Sequence, residues 1–194
     1  MKYLNIKKDN SYVLEEDNIL TRESLVNISK LELSKSEIEI LDLIYENKQF
    51  YLYIKNKENE TIQFTMFLKN ITGAGWKDKL DYKRCQVSNL KLESPDSVSL
   101  ISNKHYNLIL GVYLFDDNPI FVAWDAYRYL NHKTIRSCYV TVDTLKRGYE
   151  KQFYEGVVSS QKLWVFVGEK FNKFLEKYFE YVSNFYLKGE QNVK

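Results

Sequence analysis

Alanine is nearly missing from this 194-residue chain, which has only Ala74, Ala123 and Ala126. That scarcity argues against a simple helical bundle, whose solvent-facing turns draw on strong helix formers. Two prolines and seven glycines exclude a low-complexity or linker-like chain. Cysteine and histidine occur twice each, as Cys85, Cys138, His105 and His132, with no CxxC pair. Neither a disulfide framework nor a zinc site fits that count and spacing. The N-terminus MKYLNIKKDN lacks the apolar core of a signal peptide, and no apolar run approaches membrane-spanning length. The expectation is a cytoplasmic protein with reduced thiols and no membrane contact.

What the chain does have is aromatic residues. Sixteen tyrosines and eleven phenylalanines help bring the aromatic share to 15%, which favours strands. The formal net charge is only +2, but it is unevenly spread. Residues 1–46 carry six Lys/Arg against ten Asp/Glu, so the remainder carries 22 against 16. An acidic head on a basic body points either to a polyanionic partner or to two solvated surfaces.

Patterning divides the chain further. Ser34–Glu37 (SKSE) has the form of a capping box, and Ile38, Leu41 and Ile44 follow at helical spacing, so a short helix is expected up to Glu46. FYLYIK and TIQFTMFLK, joined by a polar loop, read as a hairpin. RCQVSNLKLE resumes in extended form, with Arg84 and Gln86 on one face and Cys85 and Val87 on the other. YNLILGVYLF and PIFVAWD form a second strand pair around DDNP. CYVTV, the helix DTLKRGYEK and the strand LWVFVGE follow. Phe171, Phe174, Leu175, Tyr178, Phe179 and Val182 then mark one stripe of a closing amphipathic helix. About seven strands and three short helices suggest a mainly β, α+β barrel, closed or half closed, with helices at its ends.

For chemistry, there is no Ser–His–Asp spacing, phosphate-cradling glycine loop or HExxH. A metal-dependent nuclease would draw on Asp96, Asp116, Asp117 and Asp125. That chemistry wants a lysine two positions after the strand carboxylate, and Tyr127 stands there. Asp96, Asp116 and Asp117 read more simply as turn residues. Two basic loops are better candidates. From Trp76 to Lys91, Lys77, Lys79, Lys83, Arg84 and Lys91 face Asp78 and Asp81. From Tyr127 to Arg136, Arg128, Lys133 and Arg136 accompany Asn131 and His132 with no acid. Cations neutralise phosphates, while Arg, Asn and Gln can make paired bonds to base edges. Solvated basic loops are the alternative.

NITGAGWKDKLDYKRCQV resembles a restriction-enzyme segment in which a strand ends in asparagine, a glycine-containing loop follows, and the next strand opens with Arg-x-Gln. LILGVYLFDDNPIFVAWDAYRY, the L-x-x-G helix in TVDTLKRGYE and the closing KLWVFVGEKFNKFLEKY are similar to later elements in the same order, over about residues 50–180. The family is that of B3-like DNA-recognition domains, found in LlaJI-type and McrB-related restriction subunits and in EcoRII. The resemblance implies a seven-stranded pseudobarrel over residues 47–187, an acidic, partly helical extension over 1–46, and a polar tail over 188–194. It also implies sequence-specific binding of double-stranded DNA through two arms in the major groove, with no catalysis or cofactor of its own. Cleavage would come from an AAA+ motor or a nuclease domain or subunit, and the polar tail fits an end just before such a domain.

The implied DNA-binding residues are Lys77, Lys79, Lys83, Arg84 and Gln86 in one arm and Arg128, Asn131, His132, Lys133 and Arg136 in the other. The family often has an acidic residue and an isoleucine around its Arg-x-Gln, where this chain reads DYKRCQ. In this reading Gly73 and Gly75 let the backbone approach the duplex, and Trp76 is either a core plug or a base contact. Arg84 and Gln86 either face the bases or brace the arm. Trp124 and Asp125 are structural, with Asp125 capping the arm's first turn. A PUA- or SRA-like reader of modified bases, a small complete nuclease and a protein–protein module remain rival readings.

Overall fold

Two long apolar runs, Leu108–Phe115 and Ile120–Trp124, lie side by side at the middle of a sheet. Strands buried on both faces read as unbroken apolar stretches rather than as alternation, and here both faces are covered. The computed structural model describes residues 1–7, 9–87, 103–116, 118–129 and 136–184.

Among the described residues there are twelve strands, β1 (Tyr3–Ile6), β2 (Tyr12–Glu15), β3 (Glu39–Glu46), β4 (Gln49–Lys55), β5 (Thr61–Asn70), β6 (Thr72–Gly73), β7 (Tyr82–Val87), β8 (His105–Phe115), β9 (Asn118–Asp125), β10 (Arg136–Thr141), β11 (Phe153–Val158) and β12 (Gln161–Phe166). Three α-helices accompany them, α1 (Arg22–Leu33), α2 (Val142–Lys151) and α3 (Phe171–Val182). All seven expected strands are present, as β4, β5, β7, β8, β9, β10 and β12. They do not form one barrel. The largest sheet has seven strands in the order β11-β12-β9-β8-β5-β4-β3, antiparallel except for the parallel β5–β8 pair. No pairing among the described residues joins its edges. The expected strands β7 and β10 pair with each other and with β6 in a separate three-stranded sheet, and β1–β2 is a hairpin.

Side-chain alternation sorts the core into two layers. Leu108, Leu110, Phe121, Ala123, Trp164 and Phe166 face α1 and α3. Ile109, Val122, Trp124, Leu163 and Val165 face the other way, onto Cys85, Val87, Cys138 and Val140 of the smaller sheet and Leu145 of α2. The aromatic stripe of α3 is as expected: Phe174 stacks on Phe166 at 4.7 Å and Tyr178 meets Trp164 edge-on at 5.6 Å. Aromatic pairs of this kind add about 0.5–1.5 kcal/mol beyond their burial.

The head departs from the expectation. Ser34 does not open a helix; it closes α1 as its C-cap, and its hydroxyl donates to the Lys30 carbonyl at 2.7 Å. Ser36 likewise donates to the Leu33 carbonyl. Residues 39–46 are strand β3, paired with β4 from Glu39 to Glu46 with a bulge at Leu41. Ile40, Ile44 and Tyr45 suit a pleated surface, and the spacing of Ile38, Leu41 and Ile44 that suggested a helix is one subset of six apolar residues over 38–46. The true helix start is Thr21, whose hydroxyl accepts the Ser24 amide. Residues 1–46 therefore supply an edge strand of the main sheet and a helix against its face. No helix among the described residues is long and apolar enough to cross a membrane.

Candidate nucleic-acid interface

Strand β7 lies between β10 and β6 and alternates as the sequence predicts: Lys83, Cys85 and Val87 are buried, Gln86 is exposed and Arg84 is half-buried. Register puts Tyr139 of β10 and Thr72 of β6 on either side of Arg84, and Ser137 beside Gln86. These side chains share the outer face of the small sheet, away from the core.

Trp76 lies on that face. Its indole stacks on Tyr139 (4.9 Å, 27°) and tilts against Tyr82 at 5.4 Å. The Lys79 ammonium is 5.4 Å from both the Trp76 and Tyr82 rings, within cation–π range. The indole is half-buried, so Trp76 roots the loop on the sheet surface rather than in the core. Tyr139 is held from behind, since its carbonyl accepts the Trp124 indole N–H at 3.3 Å and its amide donates to Gln161 Oε1 at 2.8 Å. Gln161 Nε2 also donates to the Ser137 carbonyl. Sequence reasoning missed Tyr82, Tyr139 and Gln161. Outward alternation in CYVT was the available signal for Tyr139, but Gln161 had none, because its role depends on a contact across sheets.

The two glycines of the loop differ. Gly75 has φ +85, so it takes a left-handed conformation, and a Cβ there would lie 3.9 Å from the nearest atom, Arg84 Nη2. Gly73 is different: a Cβ would fall 2.2 Å from the Tyr3 ring. Gly73 therefore serves packing against β1 rather than approach to a ligand.

Lys83 requires a correction. Expected to meet phosphate, it is fully buried. Its ammonium is ion-paired with Asp17 and donates to Asn5 Oδ1 at 2.8 Å. Tyr113 donates to the same Asn5 oxygen at 2.9 Å, and the Gly73 amide donates to Asp17 Oδ2 at 2.7 Å. Burial lowers the Lys83 pKa from its ordinary value, with Asp17 opposing that shift. Burial also raises the Tyr113 hydroxyl. This network joins the acidic head to the small sheet from beneath.

Lys77, Lys79, Arg128 and Arg136 are exposed. The Arg128 guanidinium donates to the Ser160 carbonyl. Asn131, His132, Lys133 and Lys91 lie outside the described residues, as do Asp96, Asp117 and the 188–194 tail. Asp125 is a cap, as expected: Oδ1 accepts the Tyr127 amide at 2.9 Å and Oδ2 the Tyr181 hydroxyl at 3.2 Å. Among the described residues no three His, Cys, Asp or Glu side chains come together as a metal site.

An open α+β scaffold that presents an aromatic and cationic sheet face has the chemistry of a surface for a flat, anionic ligand. The chain belongs to the Methylase-associated X1 family, whose model matches residues 62–179. That span runs from β5 into α3 and includes the whole small sheet. Membership links the chain to restriction–modification systems. No curated protein and no solved structure matches it.

Proposed function

We propose that this chain is a target-recognition domain of a restriction–modification system that binds double-stranded DNA in a sequence-specific manner. The observation that carries the reading is the outer face of the β10-β7-β6 sheet, where Arg84 and Gln86 stand beside the Trp76–Tyr139 stack and the exposed Lys77 and Lys79. Lysines around such a face neutralise phosphates, while Arg and Gln can pair with base edges. Family membership supplies the restriction–modification context. The finer reading is a B3-like module gripping the major groove with one arm around residues 70–91 and another around 127–137. It works in the cytoplasm without catalysis or cofactor, beside a motor or nuclease domain or subunit.

Selection from a pool of random duplexes, sequenced after binding at two salt concentrations, tests the proposal. An enriched motif of about five to seven base pairs, with affinity falling steeply as salt rises, is the expected result. Equal recovery of all sequences would reject sequence-specific recognition.

A further inference from the structure

The largest groove among the described cavities lies between the start of α1, the β3–β4 turn and the end of β5, with a volume of about 660 Å³. That is within the range of ligand sites, roughly 300–1,000 Å³. Its cations are Arg22, Lys48 and Lys69, and no carboxylate lines it. Residues 1–46 contribute Leu20, Arg22, Leu25 and Tyr45 to the lining. None of the three cations forms a salt bridge among the described residues. Arg22 lies over the Tyr45 ring at 4.2 Å, which holds its guanidinium at the groove.

A second observation concerns the backbone. Asn47 (φ 51) and Lys48 (φ 65) form a two-residue hairpin turn, closed by the Glu46–Gln49 pair, in which both residues are left-handed. Asparagine suits the first position, and glycine is the usual residue at the second. A lysine there accepts backbone strain that glycine would relieve.

The geometry points to this groove as a phosphate-binding site that holds a stretch of DNA backbone next to the recognition face. The inference rests on the proposed DNA-binding function. Continuity supports it: Lys69 and Asn70 end β5, and two residues on, Thr72 pairs with Arg84 of that face. A duplex read at Arg84 can therefore pass its sugar–phosphate backbone along β6 to Lys69, Arg22 and Lys48. These contacts add affinity without sequence information.

The test compares wild type, Lys48→Gly, Arg22→Gln and Arg84→Ala by fluorescence anisotropy. The probes are a duplex of about 20 base pairs carrying the selected motif, a scrambled duplex and a free mononucleotide. Lys48→Gly should weaken both duplexes by the same factor, roughly fivefold, and reduce the slope of log K against log salt by about one. The same variant should unfold about 2 °C higher, because glycine fits the turn. Arg22→Gln should match it in slope, whereas Arg84→Ala should weaken mainly the motif duplex. Wild-type affinity and slope in both groove variants would overturn the groove assignment and leave the recognition face standing. Mononucleotide binding as tight as duplex binding, and lost in Lys48→Gly, would overturn it in favour of a nucleotide pocket. No duplex binding by wild type would overturn both readings together.

Discussion

Lys83 and Arg84 are adjacent in sequence, both cationic, and opposite in consequence. Strand alternation sends one into a buried cluster with Asp17 and Asn5 and the other to the outer face. Breaking a buried ion pair by removing one partner costs about 3–5 kcal/mol, because the other charge is left uncompensated. Asp17→Ala should therefore lower urea-unfolding stability by about that much, whereas the double replacement Asp17→Leu with Lys83→Met should recover most of the loss. Lys83→Met alone should leave the salt slope of DNA binding unchanged, since the ammonium reaches no solvent; a slope reduced by about one would restore Lys83 to the interface. The cysteines offer a second check at this scale. Cys85 and Cys138 are opposite each other on the core side of β7 and β10, both buried. Burial, with Cys138 nearby, pushes the Cys85 thiol well above its ordinary pKa. Because the thiolate is the reactive form, neither cysteine should be alkylated by iodoacetamide at neutral pH until the protein unfolds. Rapid labelling of the folded protein would contradict the placement of this sheet over the core.

Among the elements, those with long or strongly periodic patterns were legible in the sequence. The apolar runs of β8 and β9, the alternation of β7 and the stripe of α3 depend on local spacing alone. The β3 segment was not legible as a strand, because its apolar spacing suits a helix as well as a strand and the preceding serines resemble an opening cap. Only the β4 partner decides between the two. Strands β1, β2 and β6 are too short to carry a period, and β6 exists through pairing with Arg84 and Lys83. For the site, the basic loop and the outward pair Arg84 and Gln86 were readable, while the support from Trp124 and Gln161 was not. The Gly73 contact with Tyr3 provides an element-scale prediction. Gly73→Ala would place a methyl into the Tyr3 ring, and overpacking of this kind typically costs about 1–3 kcal/mol. The Tm should fall in that variant, and Tyr3→Ala should restore part of it by making room. An unchanged Tm in Gly73→Ala would show that β1 does not pack against β6 as described.

For the molecule as a whole, the charge asymmetry takes on a structural meaning. The acidic head is woven into the scaffold through β3, α1 and the Asp17–Lys83 pair. Its carboxylates leave Arg22 clear at the groove, and the basic body offers Lys77, Lys79 and Arg84 around an aromatic stack. Family membership sets this surface in a restriction–modification context. The central claim is that the outer face of the small sheet reads duplex DNA. The most direct measurement is the affinity of the wild-type chain for its best selected duplex and for a scrambled duplex at two salt concentrations, repeated with Arg84→Ala. The account predicts that the selected duplex binds at least about a thousandfold more tightly. It also predicts that both affinities fall with salt and that Arg84→Ala erases about 1–3 kcal/mol of the difference between them. Equal affinities that Arg84→Ala leaves untouched, or no binding to either duplex at low salt, would contradict it.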